Sequence, residues 1–164
     1  MLIALDTLYF DLLKLGYHLG LAVIVGGGVA LGALVAPAVF RAAGSRSQAG
    51  TIFGAVLERS DPVMVLAVVL VIATSVLRAG AVDEDPRDAR IAARWVLLGL
   101  MSLATLFSAG WAGPIARGIR SQTPGFDDLP ATDVRRREFG LLHARSRRAM
   151  SVAVLCGAAA LFLS

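Results

Sequence analysis

The sequence is poor in the residues that build disulfide-linked, metal-binding or catalytic sites. Cys156 is the only cysteine, so an internal disulfide and a cysteine-based metal cluster are both excluded. Charged residues make up only 17% of the chain and aromatic residues 7%. No nucleophile–base set, glycine-rich phosphate loop or metal-ligand spacing occurs in it. We therefore expect a protein that is not an enzyme and that has no cofactor or metal of its own.

Apolar residues, in contrast, are abundant. They form 57% of the 164 residues, and the mean hydropathy is +0.72, which is too apolar for a soluble domain of this size and indicates an integral membrane protein. A bilayer core takes about 20 apolar residues per helix. Four segments qualify, and we predict spans at about 8–40, 62–78, 92–115 and 147–164. The predicted fold is all-α, a four-helix transmembrane bundle forming a single domain over residues 1–164.

An interfacial amphipathic helix is predicted after the first span, at about 47–59. Its apolar residues recur on one side at helical spacing, which is typical of a helix lying on the membrane surface; they are Ile52, Phe53, Val56 and Leu57. Asp61 and Pro62 are then predicted to begin the second span, as its N-cap and first helical residue.

Two prolines lie near the predicted ends of the first and third spans. Pro37 precedes Arg41, and Pro114 precedes Arg117, by three or four residues. A proline at such a position frees a carbonyl and bends the helix. The two halves of the chain are therefore similar hairpins, which indicates either an internal repeat of the kind found in transporters or two independent proline-terminated helices.

The basic residues flank the apolar segments, which favours contact with a membrane over contact with nucleic acid. Eleven of the 16 Lys and Arg residues fall on one predicted side of the bilayer and five on the other. We predict that the protein lies in the cell membrane. The positive-inside rule then places the side with eleven basic residues in the cytoplasm and both termini outside it. Eight arginines are predicted to anchor the chain to anionic headgroups, with an anion or phosphate-headgroup pocket as the alternative; they are Arg117, Arg120, Arg135, Arg136, Arg137, Arg145, Arg147 and Arg148.

Small residues four apart in the first span predict close helix packing. They are Gly16 and Gly20, then Gly28, Gly32 and Ala36. The facing helix is predicted to be the third or fourth span, or a helix of another protein. The Gly26–Gly28 triplet is a tight packing point or a local irregularity of the kind that borders transporter sites.

Two histidine positions raise the question of a bound group. Asp11, Lys14 and His18 share one helical face, which fits either a relay entering the membrane or an ion pair at the membrane edge. His18 and His143 could bind haem or a metal, but they are predicted at opposite sides of a core about 30 Å thick. A site shared with a partner chain stays open.

Three short motifs carry a resemblance to a known family. They are Ala36-Pro37-x-x-Phe40, the pair Ala49-Gly50, and His143-x-x-Ser146 before the last span. Together with Pro114 in "GPIARGIR", they resemble the transmembrane-protein-205-like family of small four-span membrane proteins, a domain of unknown function. The resemblance implies an integral membrane protein without an established reaction. Eukaryotic members are associated with tolerance of platinum drugs, which implies transport or trafficking.

Two functions of different classes are consistent with these features. The first is a non-catalytic accessory or structural subunit that packs against other membrane helices or against itself. The alternative is a transporter or resistance protein for a small solute or metal ion, with the two proline exits as gates. A haem- or metal-binding membrane protein is a remote third possibility.

Overall fold

The computed structural model describes residues 2–81 and 88–164, and within these ranges the chain is almost entirely helical, with no β-strand. Four long helical rods follow one another along the chain. Two of the rods are interrupted by a stretch of π-helix, which we name the first and second π segments. The elements are α1 (Leu2–Val29), the first π segment (Ala30–Val35), α2 (Ala36–Ala42), α3 (Arg46–Ala81), α4 (Ala89–Thr105), the second π segment (Leu106–Ala112), α5 (Gly113–Ser121), a 3₁₀ turn (Phe126–Asp128) and α6 (Val134–Phe162).

Three of the rods contain helices that are long and apolar enough to cross a membrane. They are Thr7–Ala42, Arg46–Gly80 and Ala89–Ser121, and they suit a membrane-embedded protein. The fourth rod differs because Arg147 and Arg148 leave only Ala149–Phe162 as its apolar part. That stretch is about 21 Å long at 1.5 Å per residue, which is shorter than a core of about 30 Å. The fourth crossing therefore remains a prediction.

The sequence predicts that the helix after the first span ends before Asp61, but the structure has no break there. Instead, α3 runs without a break from Arg46 to Ala81, with Pro62 in its interior. The start signal lies at Ser45, whose hydroxyl accepts a hydrogen bond from the Gln48 N–H at 3.1 Å, while the Gln48 side chain accepts one from the Gly44 N–H at 2.9 Å. This pairing satisfies N–H groups at the helix start in the manner of a capping box. The prediction of Asp61 as an N-cap is therefore wrong, because the helix has already begun at Ser45.

Both exit prolines directly follow a π segment. The N–H of Ala36 donates to the carbonyl of Leu31, and the N–H of Gly113 donates to that of Ser108, so each bond spans five residues. Pro37 and Pro114 come next. A proline in a helix lacks an N–H and its ring clashes with the carbonyl four residues earlier. The wider π turn changes the backbone register at the point where each proline must fit.

The rods pack antiparallel around an apolar core. Tyr17, Leu21 and Ile24 of α1 meet Val71 of α3, and Leu98 and Met101 of α4 complete the cluster with small residues of α6. α1 contacts α3 and α6, and α4 contacts α6. α6 runs antiparallel to α1. Gly28 lies against Val154 and Met150, whereas Val25, which comes earlier in α1, lies against Gly157, which comes later in α6.

Candidate functional site

An ion pair joins the second and third rods near the end of both apolar runs. The Nη2 atom of Arg117 donates to Oδ2 of Asp61 at 2.6 Å. The two side chains are only 22% and 12% exposed, so water screens the pair less than it would on an open surface. A charged donor and a charged acceptor at this distance form one of the stronger hydrogen bonds available to a protein.

A glycine leaves the space that this pair occupies. A Cβ atom at Gly113 would lie 2.7 Å from the Ser108 carbonyl oxygen, 3.3 Å from Nη1 of Arg117 and 3.6 Å from Oδ2 of Asp61. The first distance is shorter than real Cβ contacts allow. Gly113 is also the residue whose N–H closes the second π segment. Gly113 therefore lies at the junction of the second π segment and the ion pair.

A groove of about 560 Å³ lies beside the ion pair, between α3 and the third rod. Its lining changes in character along α3, with charged residues where the apolar runs of the sequence end and aliphatic residues deeper in. The lining residues are Glu58, Asp61, Pro62, Val65, Leu66, Val69, Ala109, Pro114 and Arg117. The groove is thus amphipathic, with charged groups at one end only.

A second polar cluster fixes the start of α3 to the segment after α5. Arg120 donates to Oδ2 of Asp127 at 2.8 Å and to the Ser47 carbonyl at 3.2 Å, and the Ser47 hydroxyl donates to the same Asp127 oxygen at 2.6 Å. A Cβ at Gly50 would lie 2.5 Å from Nη1 of Arg120, so any other residue here would require the guanidinium to move. The two residues of the Ala49-Gly50 motif thus have different roles: Ala49 is buried, and Gly50 provides the space next to the Arg120 guanidinium.

The His143-x-x-Ser146 motif lies where α6 passes the second π segment. The hydroxyls of Ser146 and Ser108 are 2.9 Å apart, and Ser146 also donates to the Ser108 carbonyl at 3.4 Å. His143 stacks on the ring of Phe139, with the ring centroids 5.6 Å apart and the planes nearly parallel. Burial, and then the nearby charge of Arg147, lower the pKa of His143, because both disfavour the imidazolium.

The eight arginines predicted as lipid anchors fall into two groups. Four have partners in the chain, since Arg117 pairs with Asp61, Arg120 with Asp127 and Arg135 with Asp133, and Arg136 donates to the carbonyls of Asp127 and Leu129. The Arg135 guanidinium lowers the pKa of the Asp133 carboxyl, mainly through their side-chain hydrogen bond. No hydrogen bond or ion pair within residues 2–81 and 88–164 engages the other four, which are Arg137, Arg145, Arg147 and Arg148. The guanidinium donors of these four arginines are therefore not used within the described ranges.

The small residues of the first span face two different rods. A Cβ at Gly20 would lie 2.6 Å from Val71 Cγ2 and 3.0 Å from the Ala67 carbonyl oxygen, and one at Gly16 would lie 2.9 Å from Thr74 Cγ2. Gly28 approaches α6, with 2.5 Å to Val154 Cγ2. The facing helices are therefore the second and fourth rods. The predicted neighbour was the third or fourth span, or a helix of another protein. The Gly28 contact agrees with the fourth span, whereas Gly16 and Gly20 face the second rod, which was not among the alternatives.

Other predicted packing positions have no close neighbour. Gly26 and Gly32 each have open space where a Cβ would be, with no side chain or backbone atom of a neighbouring element within 4 Å in the described structure. Ala36 closes the first π segment. The rings of Phe40 and Phe53 pack edge to face with their centroids 6.4 Å apart, which joins α2 to α3. The outer face of the first rod is thus left uncovered.

The two histidines lie far apart. His18 is ten residues from the Gly28–α6 contact, about 15 Å along α1, whereas His143 lies about 10 Å beyond the same contact in the opposite direction. The His18 ring bonds to the Lys14 carbonyl at 2.7 Å, and His143 stacks on Phe139. A haem or metal bridging the two within one chain does not fit this geometry. Within the described ranges, no three His, Cys, Asp or Glu side chains are grouped as metal ligands.

The parts of the site that depend on contacts between rods were not predicted from the sequence. Asp61 was interpreted as a cap and Arg117 as a lipid anchor, and no role was assigned to Glu58 or Ser108. One signal was present, because Asp61 and Arg117 have opposite charges and each borders an apolar run. Antiparallel neighbours bring such borders to the same depth.

Comparison with known proteins gives a family but no function. The family model for the domain of unknown function DUF4149 matches residues 19–124, which is well over half of the chain. This range includes more than half of the first rod, the whole of the second and third rods, the ion pair and the groove, and it ends before His143. Neither a curated protein nor a solved structure matches the chain. The chain belongs to the DUF4149 family, which is defined by a domain of unknown function.

Proposed function

We propose that the protein is a non-catalytic accessory or structural subunit in a membrane, and that the uncovered face of α1 binds a transmembrane helix of another membrane protein. The observation that carries this proposal is the low burial of the first rod. Only 17% of its most apolar stretch is buried, against 33% and 28% for the second and third rods. The first rod therefore offers the largest uncovered apolar surface of the three.

The residues on this face suit a close helix contact. Ala22, Gly26, Val29 and Ala33 are all exposed and follow one another at helical spacing. Small residues let two backbones approach closely, which is the main source of helix association in lipid, where no hydrophobic force drives it. The opposite face of the same helix uses Gly16, Gly20 and Gly28 for internal packing. In this proposal the first rod is a two-sided helix, with one side for the bundle and one for the partner.

Purification in mild detergent tests the accessory role. We expect the wild-type protein to elute with a larger assembly, whose members mass spectrometry identifies, and Gly26→Leu to lose that assembly while melting at the wild-type temperature. Gly99→Leu is the matched control, because Gly99 of α4 also has no close neighbour in the described structure. A wild-type protein that elutes only as a monomer would contradict the proposal. A homo-oligomer disrupted by Gly26→Leu would identify the same face with a second copy as its partner.

The proposal includes four crossings of the cell membrane, with the arginine-rich connections in the cytoplasm and both termini outside. It is supported by three arginines near one end of the bundle: Arg117 pairs with Asp61 in the first half of α3, Arg120 donates to Ser47 at its start, and Arg136 donates to the carbonyl of Asp127, which Arg120 also contacts. The four unpaired arginines of α6 would contact anionic headgroups there. Labelling of single cysteines introduced at each terminus, in a Cys156→Ser background, tests the orientation. Labelling of either terminus from the cytoplasm would contradict it.

We also propose that the chain belongs to the transmembrane-protein-205-like branch. The proposal is supported by the structural role of each motif behind this resemblance, which argues against a chance match. Phe40 packs on Phe53, Gly50 makes room for Arg120, and Ser146 bonds to Ser108.

A transporter is the second candidate function. Its specific support is the pair of π segments before Pro37 and Pro114, since π turns inside α-helices are frequent at functional sites. The Asp61–Arg117 pair adds to it, because ionisable residues within membrane helices mark pathways by default. Flux of candidate solutes or metal ions into liposomes tests this function, with Asp61→Asn expected to abolish it. A lone oligomer whose melting temperature rises with a solute would favour transport over the accessory role.

A further inference from the structure

We propose that the groove beside the Asp61–Arg117 pair binds a phospholipid with a primary-amine, zwitterionic headgroup of the ethanolamine type. One end of this groove is charged and the other aliphatic, which is the polarity of a lipid rather than of an ion or a sugar. Its volume of about 560 Å³ lies within the range of about 300–1,000 Å³ that is typical of ligand sites. The headgroup would lie at Glu58, Asp61 and Arg117, with an acyl chain along α3.

The aliphatic part of the groove fits an acyl chain. Val65, Leu66 and Val69 follow the charged residues along one side of α3, and Leu66 and Val69 are 67% and 61% exposed. About 12 Å of helix axis separates Asp61 from Val69. Ala109 and Pro114 form the opposite wall, and the small size of Ala109 keeps the groove open between the rods.

The charge at the mouth selects the headgroup. Two carboxylates and one guanidinium give it a net charge of −1, and the pairing of Asp61 with Arg117 leaves the charge of Glu58 uncompensated. Glu58 is exposed, and no hydrogen bond or ion pair links it to another residue in the described ranges. An ammonium group supplies both the charge and the N–H donors that this carboxylate lacks.

Pro62 adds a further acceptor at the same point. Because proline has no N–H, the usual helical hydrogen bond to the carbonyl of Glu58, four residues earlier, cannot form. The ammonium group can therefore meet both the carboxylate and the freed carbonyl of one residue. On the other side of the mouth, Arg117 has five N–H donors and gives one hydrogen bond to Asp61. Its other donors can face the lipid phosphate.

This arrangement discriminates among common membrane lipids. A choline headgroup has a quaternary ammonium without N–H, so it can satisfy the charge of Glu58 but neither of the acceptors. A glycerol headgroup leaves the phosphate as a net negative charge, which Glu58 repels. We therefore expect the ethanolamine lipid to be preferred over both.

Native mass spectrometry of the full-length protein tests the preference. The protein is equilibrated in nanodiscs with equal amounts of phosphatidylethanolamine, phosphatidylcholine and phosphatidylglycerol of identical chains, and retained lipids are counted. Since a charge-assisted hydrogen bond is worth about 1.5–3 kcal/mol when well formed and less near water, we expect ethanolamine lipid to be enriched about 3- to 10-fold. Glu58→Gln should remove most of the enrichment. Glu138→Gln, the same change on the exposed start of α6, should leave it unchanged.

Three results would overturn the proposal. The first is equal retention of the three lipids, and the second is an enrichment that persists in Glu58→Gln. The third is an enrichment of the glycerol lipid that Leu66→Trp removes, which would mean that the groove itself binds an anionic headgroup; enrichment that survives Leu66→Trp would come from the arginines of α6 instead. If Glu58→Gln does not fold, Leu66→Trp, which fills the exposed part of the groove, should abolish the enrichment instead. The wild-type melting temperature should also rise more with ethanolamine lipid than with choline lipid, and equal rises would count against the site.

Discussion

Replacing Asp61 by asparagine would leave the Arg117 guanidinium without its charged partner at the junction of α3 and α5. Asparagine keeps the size of the side chain and one acceptor oxygen, so the change removes charge rather than volume. The adjacent Gly113 leaves little room for rearrangement, since even a Cβ atom there would lie 3.3 Å from Nη1 of Arg117 and 3.6 Å from Oδ2 of Asp61. The cost should therefore come from electrostatics and not from a cavity.

The magnitude follows from the burial of the pair. Exposed ion pairs contribute about 0–1 kcal/mol, whereas removing one partner of a fully buried pair costs about 3–5 kcal/mol. With side-chain exposures of 12% and 22%, Asp61 and Arg117 lie between these limits. We expect Asp61→Asn to lower the free energy of unfolding by about 2 kcal/mol. For a globular chain of this size, that change lowers the melting temperature by about 4–8 °C.

A double-mutant cycle separates the pair from its surroundings. Asp61→Asn, Arg117→Gln and the double variant are melted in the same detergent and followed by the fluorescence of the two tryptophans, one of which, Trp111, lies in the second π segment. We expect a coupling energy of about 1–2 kcal/mol, because residues in contact couple by about 0.5–3 kcal/mol. The double variant should thus be more stable than the sum of the two single changes predicts.

The pair between Arg120 and Asp127 provides the matched control. Its side chains are 21% and 41% exposed, so its coupling energy should stay below about 1 kcal/mol. Additive effects at Asp61 and Arg117, to within about 0.5 kcal/mol, would refute the structural assignment of a partly buried ion pair. A larger coupling in the control pair than in the Asp61–Arg117 pair would refute the ranking by burial.

Three further predictions concern other contacts of the bundle. Gly20→Ala should lower the free energy of unfolding by about 1–3 kcal/mol, because the new Cβ overpacks against Val71 and the Ala67 carbonyl. Gly99→Ala, in open space, should be neutral or stabilising by up to about 1 kcal/mol. Equal melting temperatures of the two variants would contradict the close approach of α1 to α3. Ser146→Ala should cost about 0.5–1.5 kcal/mol by breaking the bond to Ser108, and Ser151→Ala, whose hydroxyl bonds only within α6, should cost less. Because the pKa of His143 is lowered in the folded protein, the unfolded chain binds more protons in acid, so stability is full above about pH 6.5 and falls as the pH drops below it. We expect melting temperatures to decrease from pH 7.5 to pH 5, and the decrease to be smaller in His143→Phe, which keeps the stacking on Phe139. An equal decrease in the wild type and in His143→Phe would contradict this prediction.

The apolar runs predicted the helices well because each run is a local property of the chain. About 20 consecutive apolar residues specify a membrane-crossing helix without reference to its neighbours, and three such helices are present. The π segments at Pro37 and Pro114 were foreseeable as irregularities, because proline cannot continue the hydrogen bonds of an α-helix. The identity of the helix facing Gly20 was not foreseeable. Small residues at a spacing of four predict that some helix approaches, but nothing in the spacing says which one.

The error at Asp61 shows why the site itself was hidden from sequence reasoning. Asp-Pro is a common start of a helix, and this interpretation divides the region into a surface helix and a span with unrelated orientations. In the continuous α3, however, Glu58, Asp61, Pro62, Val65 and Val69 follow the 3–4 residue spacing of a single helical face. The stripe becomes visible only when the helix is extended through the proline. The start of this helix was predicted at about 47, close to the Ser45–Gln48 capping pair, so what the sequence did not reveal is that α3 continues through Pro62. The amphipathic groove is therefore a property of helix continuity, and a chain in which α3 truly ended before Asp61 would have the same residues but no groove.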